Sequence, residues 1–221
     1  MQGLDWLIGA VLPYVAAAVC LLGVAARALQ WQFMPKHVRW TFYPAPQNLM
    51  DQARFMAAEI FTFRAILKQN KILWIGAWMF HISMGILVLW LVFMMAGAHV
   101  AALCWIGAIL MGCTVLYLIL YRLLQPAAKA VSTPVEYFNL GLFLSIVLAS
   151  ASMYFFQQPS IEEIRQYLLQ LLTFQIPVLP QAPLFLLVLF LVEALMIYFP
   201  FSRMIHMVSK YFAFHRINWG H

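Results

Sequence analysis

Five stretches of this chain are apolar enough and long enough to cross a bilayer, and they constrain its fold more than any other feature. They cover residues 4–29, 72–98, 101–121, 135–156 and 182–208. A helix rises about 1.5 Å per residue, so about 20 residues span a hydrocarbon core. In lipid, every backbone N–H and C=O must be bonded within its own segment or in a closed barrel. These runs are too long and too evenly apolar for barrel strands. They predict an all-α, polytopic membrane protein, one membrane domain over residues 1–221. Composition agrees: 65% of residues are hydrophobic and 9% charged, where a soluble domain carries about a quarter charged. The first run has no basic leader and follows Asp5, so it reads as a span and not as a cleavable signal.

Charge predicts the orientation. Arg27, Lys36, Arg39, Arg54, Arg64, Lys68 and Lys71 lie between runs one and two, or at their edges. Arg122 and Lys129 lie between runs three and four, and Arg203, Lys210 and Arg216 at or beyond the end of run five. Twelve of the thirteen Lys and Arg residues thus share one side, with Arg165 opposite. Basic loops stay cytoplasmic, so the N-terminus is expected outside and the C-terminus inside. The net charge of +6 is this bias and gives no reason to invoke nucleic acid.

Two loops carry amphipathic patterns. In "PSIEEIRQYLLQLL", Ser160 and Glu163 have capping-box spacing, and Ile161, Ile164, Leu168, Leu171 and Leu172 share a face. That predicts a helix lying in the outer interface. "NLMDQARFMAAEIFTFRAILKQNK" mixes Met56, Ile60, Phe63 and Leu67 with Arg54, Glu59, Arg64 and Lys68. It suits the inner membrane surface or a docked cytoplasmic subunit. The Pro-rich "MPKHVRWTFYPAP" before it is expected to be extended.

Cys20, Cys104 and Cys113 all fall inside runs, and no C-x-x-C-H stretch exists, which argues against covalent c-type haem. Cys104 and Cys113 sit on opposite faces of one helix and cannot pair with each other. All three read as buried small hydrophobes.

Of six histidines, only His81 and His206 lie within runs. Intramembrane ionisable residues are candidates for function, although a lone buried histidine is commonly a hydrogen-bonded packing residue. Around His81, "GAWMFHISMG" puts Ala77 and Gly85 four residues to either side on the same face, leaving clearance for a flat macrocycle. Around His206, Arg203 and Lys210 at i−3 and i+4 are placed to meet acidic groups. A b-type haem with two axial imidazoles explains both neighbourhoods, its propionates meeting the cations. His81 and His206 are the expected iron ligands, and Ala77, Gly85, Arg203 and Lys210 the expected haem contacts.

"FPFSRMIH" and "MFHISMG" resemble the haem-binding helices of the respiratory nitrate reductase gamma subunit, a membrane cytochrome b. "PYVAAAVCLLGVAARALQW" in the first run is similar too. The approach "EIFTFRAILKQNKILWIGAWMFH" looks closer to the related cytochrome b subunits of sulfate-reducer transmembrane electron-transfer complexes. In those, the subunit accompanies a cytoplasmic iron–sulfur protein of heterodisulfide-reductase type, often with periplasmic multihaem cytochromes c. The resemblance implies five spans, an outside N-terminus, and His81 and His206 as ligands of the haem nearer the cytoplasm. It also implies a departure. The two-haem pattern of that family adds histidines where this chain has Leu91 and Val188, so one haem b is expected. His99 lies eighteen residues after His81 on the same face, ~27 Å along a helix. It would need a methionine or another subunit to complete a second site.

Glu193, thirteen residues before His206, is the one mid-run carboxyl in run five and lies roughly 140° around a continuous helix. A carboxylate there must be protonated, paired or facing a polar cavity. It is the candidate proton-handling residue for a quinone; contact with a partner's membrane helix is the alternative. The reading as a whole is a haem b subunit of a respiratory oxidoreductase, linking a menaquinone pool to a cytoplasmic iron–sulfur subunit. It would sit in a bacterial or archaeal cytoplasmic membrane. A haem-free anchor or quinone scaffold is one alternative. A small proton-coupled transporter is another, disfavoured because no pair of broken helices marks a midplane site.

Overall fold

A computed structural model describes residues 3–33, 46, 48–98, 100–156, 159–206 and 208–210. Among them there is no strand, and five helices are long and apolar enough to cross a membrane. We label the helices α1 (Gly3–Gln32), α2 (Leu49–Phe61), α3 (Arg64–Gln69), α4 (Lys71–Met95), α5 (Ala101–Leu124), α6 (Pro126–Val131), α7 (Pro134–Phe155), α8 (Ile161–Leu172) and α9 (Pro183–Tyr198). Short 3-10 turns at Phe199–Phe201 and Arg203–Ile205 follow α9. The spans are α1, α4, α5, α7 and α9 with its first turn. The chain sorts into two compact units, Met1–Leu12 with Gln69–Val192 and Pro13–Lys68 with Glu193–His221.

In the first unit, α4 lies against α5 and α5 against α7. Met111, Val115 and Leu118 of α5 and Leu140 of α7 form the buried centre, with Leu73, Phe80, Met84 and Leu87 of α4 packed on it. Lipid tails are as apolar as these side chains, so close packing and interhelical hydrogen bonds must hold the pair together. Gly76 and Gly107 allow the approach. A Cβ at Gly76 would fall 2.6 Å from the Tyr117 ring, and one at Gly107 2.8 Å from Leu87. At one end of the pair, the Tyr117 hydroxyl donates to the Ile72 carbonyl at 2.8 Å and the Asn70 amide to the Tyr121 hydroxyl at 2.7 Å. Such bonds contribute about 1 kcal/mol each. Asn70 also caps α4, its side chain accepting from the Leu73 N–H.

The expected interfacial helix is α8, and both halves of its Ser160–Glu163 capping box are formed. Its apolar face turns inward through Tyr167 and Leu171. Tyr167 donates to the Gly9 carbonyl at 3.0 Å. Pro13, four residues after Gly9, has no N–H to offer that carbonyl, and α1 carries a π turn at Leu7–Val11. The tyrosine supplies the donor that the proline lacks.

Three expectations need correction. Run five is not one continuous helix: it breaks at Ser202, just before Arg203. Pro200 cannot donate to the Met196 carbonyl, α9 tightens into the turn at Phe199–Phe201, and Ser202 is extended at φ −102°, ψ 171°. The Ser202 hydroxyl donates to the Phe199 carbonyl and accepts from the Met204 N–H, ending one turn and capping the next. The angle of roughly 140° between Glu193 and His206 therefore does not hold. The amphipathic stretch before α4 is two helices, because Phe63 sits at φ +50° between α2 and α3. Cys113 is exposed and not buried, while Cys20 and Cys104 are half-buried; all three are free. The segment "MPKHVRWTFYPAP" (apart from its last proline, Pro46), His99, His215 and His221 lie outside the described residues.

Candidate functional site

His81 sits midway along α4 in the first unit. Its Nδ1 lies 2.7 Å from the Ala77 carbonyl. A carbonyl only accepts, so Nδ1 is the donor in this contact. The Phe80 ring meets the imidazole edge-on with centroids 5.4 Å apart, and Phe80 is itself edge-on to Phe143 of α7. One backbone bond and one aromatic contact thus orient the ring. On the next turn Gly85 is exposed, and a Cβ built there would meet nothing within 4 Å. The clearance read from "GAWMFHISMG" is present on the Gly85 side, while the Ala77 side supplies the ring's hydrogen-bond partner.

His206 belongs to the second unit, just after the Ser202 break. Its Nδ1 lies 3.2 Å from the Arg203 carbonyl. Ile205 is buried, while the Arg203 and His206 side chains are exposed. Arg203 reaches His206 through its backbone carbonyl. Lys210 meets a carboxylate of the chain itself: its Nζ is 2.9 Å from Oε2 of Glu59 on α2. Glu59 is the residue the sequence reading passed over as part of an amphipathic surface.

Glu193 opens the second unit and is 2% exposed, and neither carboxylate oxygen has a hydrogen-bond partner among the described residues. Pro200 packs on α1, where a Cβ at Gly23 would fall 2.7 Å from its ring.

Among the described residues, no group of three or more His, Cys, Asp or Glu is gathered as for a bare metal ion. A haem iron asks less, since the macrocycle fills four positions and the protein supplies one or two axial side chains. Two imidazoles with Nδ1 fixed on a backbone carbonyl fit that need, because such a bond sets tautomer and ring orientation in metal-ligating histidines.

No family model matches the chain. It is 23% identical, over 257 aligned positions, to the Hdr-like menaquinol oxidoreductase cytochrome b-like subunit of Archaeoglobus fulgidus. The alignment covers 93% of this chain and 77% of that protein. This agrees with the resemblance to membrane cytochrome b subunits drawn from the sequence. Over nearly its whole length, this multi-pass membrane chain is similar to a cytochrome b-like subunit of a menaquinol oxidoreductase.

Proposed function

We propose that this chain is the haem b-bearing membrane subunit of a menaquinol-linked respiratory oxidoreductase. In this reading His81 and His206 are the axial ligands, and electrons pass between menaquinone and a cytoplasmic iron–sulfur subunit of heterodisulfide-reductase type. A periplasmic multihaem cytochrome c is a further partner. The observation that carries the proposal is the shared anchoring of the two histidines, each with Nδ1 on a backbone carbonyl of its own segment. The relative's printed name supplies the menaquinol class. Bound haem would supply the one-electron chemistry; the chain's own residues orient the imidazoles, offer Gly85 as a bare wall and hold Arg203 as a cation toward a propionate. Glu193 is the proposed proton donor or acceptor for the quinone, because its carboxyl is buried without a partner among the described residues. The charge bias supports a cytoplasmic side for the basic loops and, with them, the iron–sulfur partner.

The test is a reduced-minus-oxidised spectrum of the chain in membranes. A bis-imidazole haem b signal is expected, lost in both His81→Ala and His206→Ala while the protein still inserts. A full low-spin spectrum in either variant would overturn the ligand assignment. A wild-type chain without haem would favour the membrane-anchor reading.

A further inference from the structure

The segment that bears His206 is not an extension of α9. Pro200 and the extended Ser202 end that helix, so its rigidity does not reach the histidine four residues beyond the break. Within the second unit, two features of the described residues hold the segment. Ile205 is buried, and Lys210, on the helical residues one turn past His206, bonds to Glu59 across 151 residues of sequence. The Glu59 side chain is 7% exposed and that of Lys210 30%. Glu59 is the buried member, so its carboxylate depends on Lys210 for compensation, and losing the pair is costlier than breaking an exposed one. Glu59 itself is held on α2, whose start is capped by the Asn48 side chain accepting from the Asp51 N–H.

We propose that Glu59 is a positioning residue for His206. Its ion pair with Lys210 pins the ligand-bearing segment to α2 and so fixes where the imidazole sits, a task α9 gives up at Ser202. The proposal rests on the haem reading for its consequence, but the pin does not.

The experiment uses the full chain in lipid nanodiscs and compares wild type, Glu59→Gln, and the charge-reversed pair Glu59→Lys with Lys210→Glu. Hydrogen exchange of residues 203–210 reads the pin without reference to haem. The low-spin ferric EPR g-values and the midpoint potential read the position of the ligand. In Glu59→Gln, exchange over 203–210 should be about ten-fold faster or more, with displaced g-values and a shifted potential; the reversed pair should recover both. Unchanged exchange overturns the pin. Faster exchange with wild-type g-values and potential overturns its role in positioning His206, as does a reversed pair that recovers neither. If wild type holds no haem, the haem reading has failed by itself, and the exchange comparison alone then decides the pin.

Discussion

Of the seven carboxylates in the chain, five have local tasks at helix starts. Asp5 lies in the first turn of α1, Asp51 in that of α2 beside Arg54, and Glu136 and Glu163 close capping boxes on α7 and α8. Glu162 pairs with Arg165 at 3.0 Å. That elimination leaves Glu193 and Glu59, and it could be made from the sequence alone. Glu193 is conspicuous there by its depth in an apolar run. Glu59 is not, because its partner is 151 residues away and an acid on an amphipathic helix ordinarily faces water. Glu193→Gln keeps the size and removes the ionisable group, so quinol turnover should fall by about 10² with haem content unchanged. Turnover at the wild-type level would return Glu193 to packing or a partner contact. Arg203→Gln tests the other charge. An ionised propionate stabilises the oxidised haem unless a cation offsets it, so losing Arg203 should lower the midpoint potential or the haem occupancy. Arg165→Gln, on α8, is the control and should change neither.

Element boundaries were legible wherever a chemical signal marks them. The runs at 72–98, 101–121 and 135–156 became α4, α5 and α7 within three residues at either end, because hydropathy decides where a helix enters lipid. The start of α8 was readable from Ser160 and Glu163. The end of run five was misread because hydropathy continues smoothly through "YFPFS" while the backbone does not: the missing N–H of Pro200 outweighs apolar composition. The cap on α8 carries a pH dependence. Side-chain and backbone hydrogen bonds from Ser160 hold the Glu163 carboxyl below its usual value of 4.5. A lowered folded value means that the stabilisation is complete above about pH 5 and is lost as pH falls through the folded value. Exchange protection of the first turn of α8 should drop below pH 4.5 relative to Glu163→Gln, which should show no such drop; parallel profiles would refute the cap's role. Between α4 and α5 the sensitive position is Gly76. Gly76→Leu drives a side chain into Tyr117 and Leu118 and should destabilise the chain by about 1–3 kcal/mol, measured by thermal unfolding in detergent.

At the scale of the whole molecule, the five spans follow from physics that any sequence displays, since lipid forbids unpaired backbone and leaves apolar runs little choice but helix. Which span carries the cofactor is a matter of single residues, and there the chain departs from the two-haem pattern it resembles. Leu91 on α4 and Val188 on α9 stand where that pattern has histidines. Neither side chain offers a lone pair, so neither can ligate iron. His81 and His206 each have a ring nitrogen on a backbone carbonyl, and in the proposed reading they are the one axial pair. The purified chain should therefore bind one haem b, measured as a pyridine haemochrome against protein determined by amino-acid analysis. Replacing Leu91 and Val188 together by histidine should raise the ratio toward two if the pattern's second site survives in the packing of these spans. Two haems in the unaltered chain would refute the one-haem reading, and His99→Ala would then show whether that histidine supplies a ligand in place of the two that are missing.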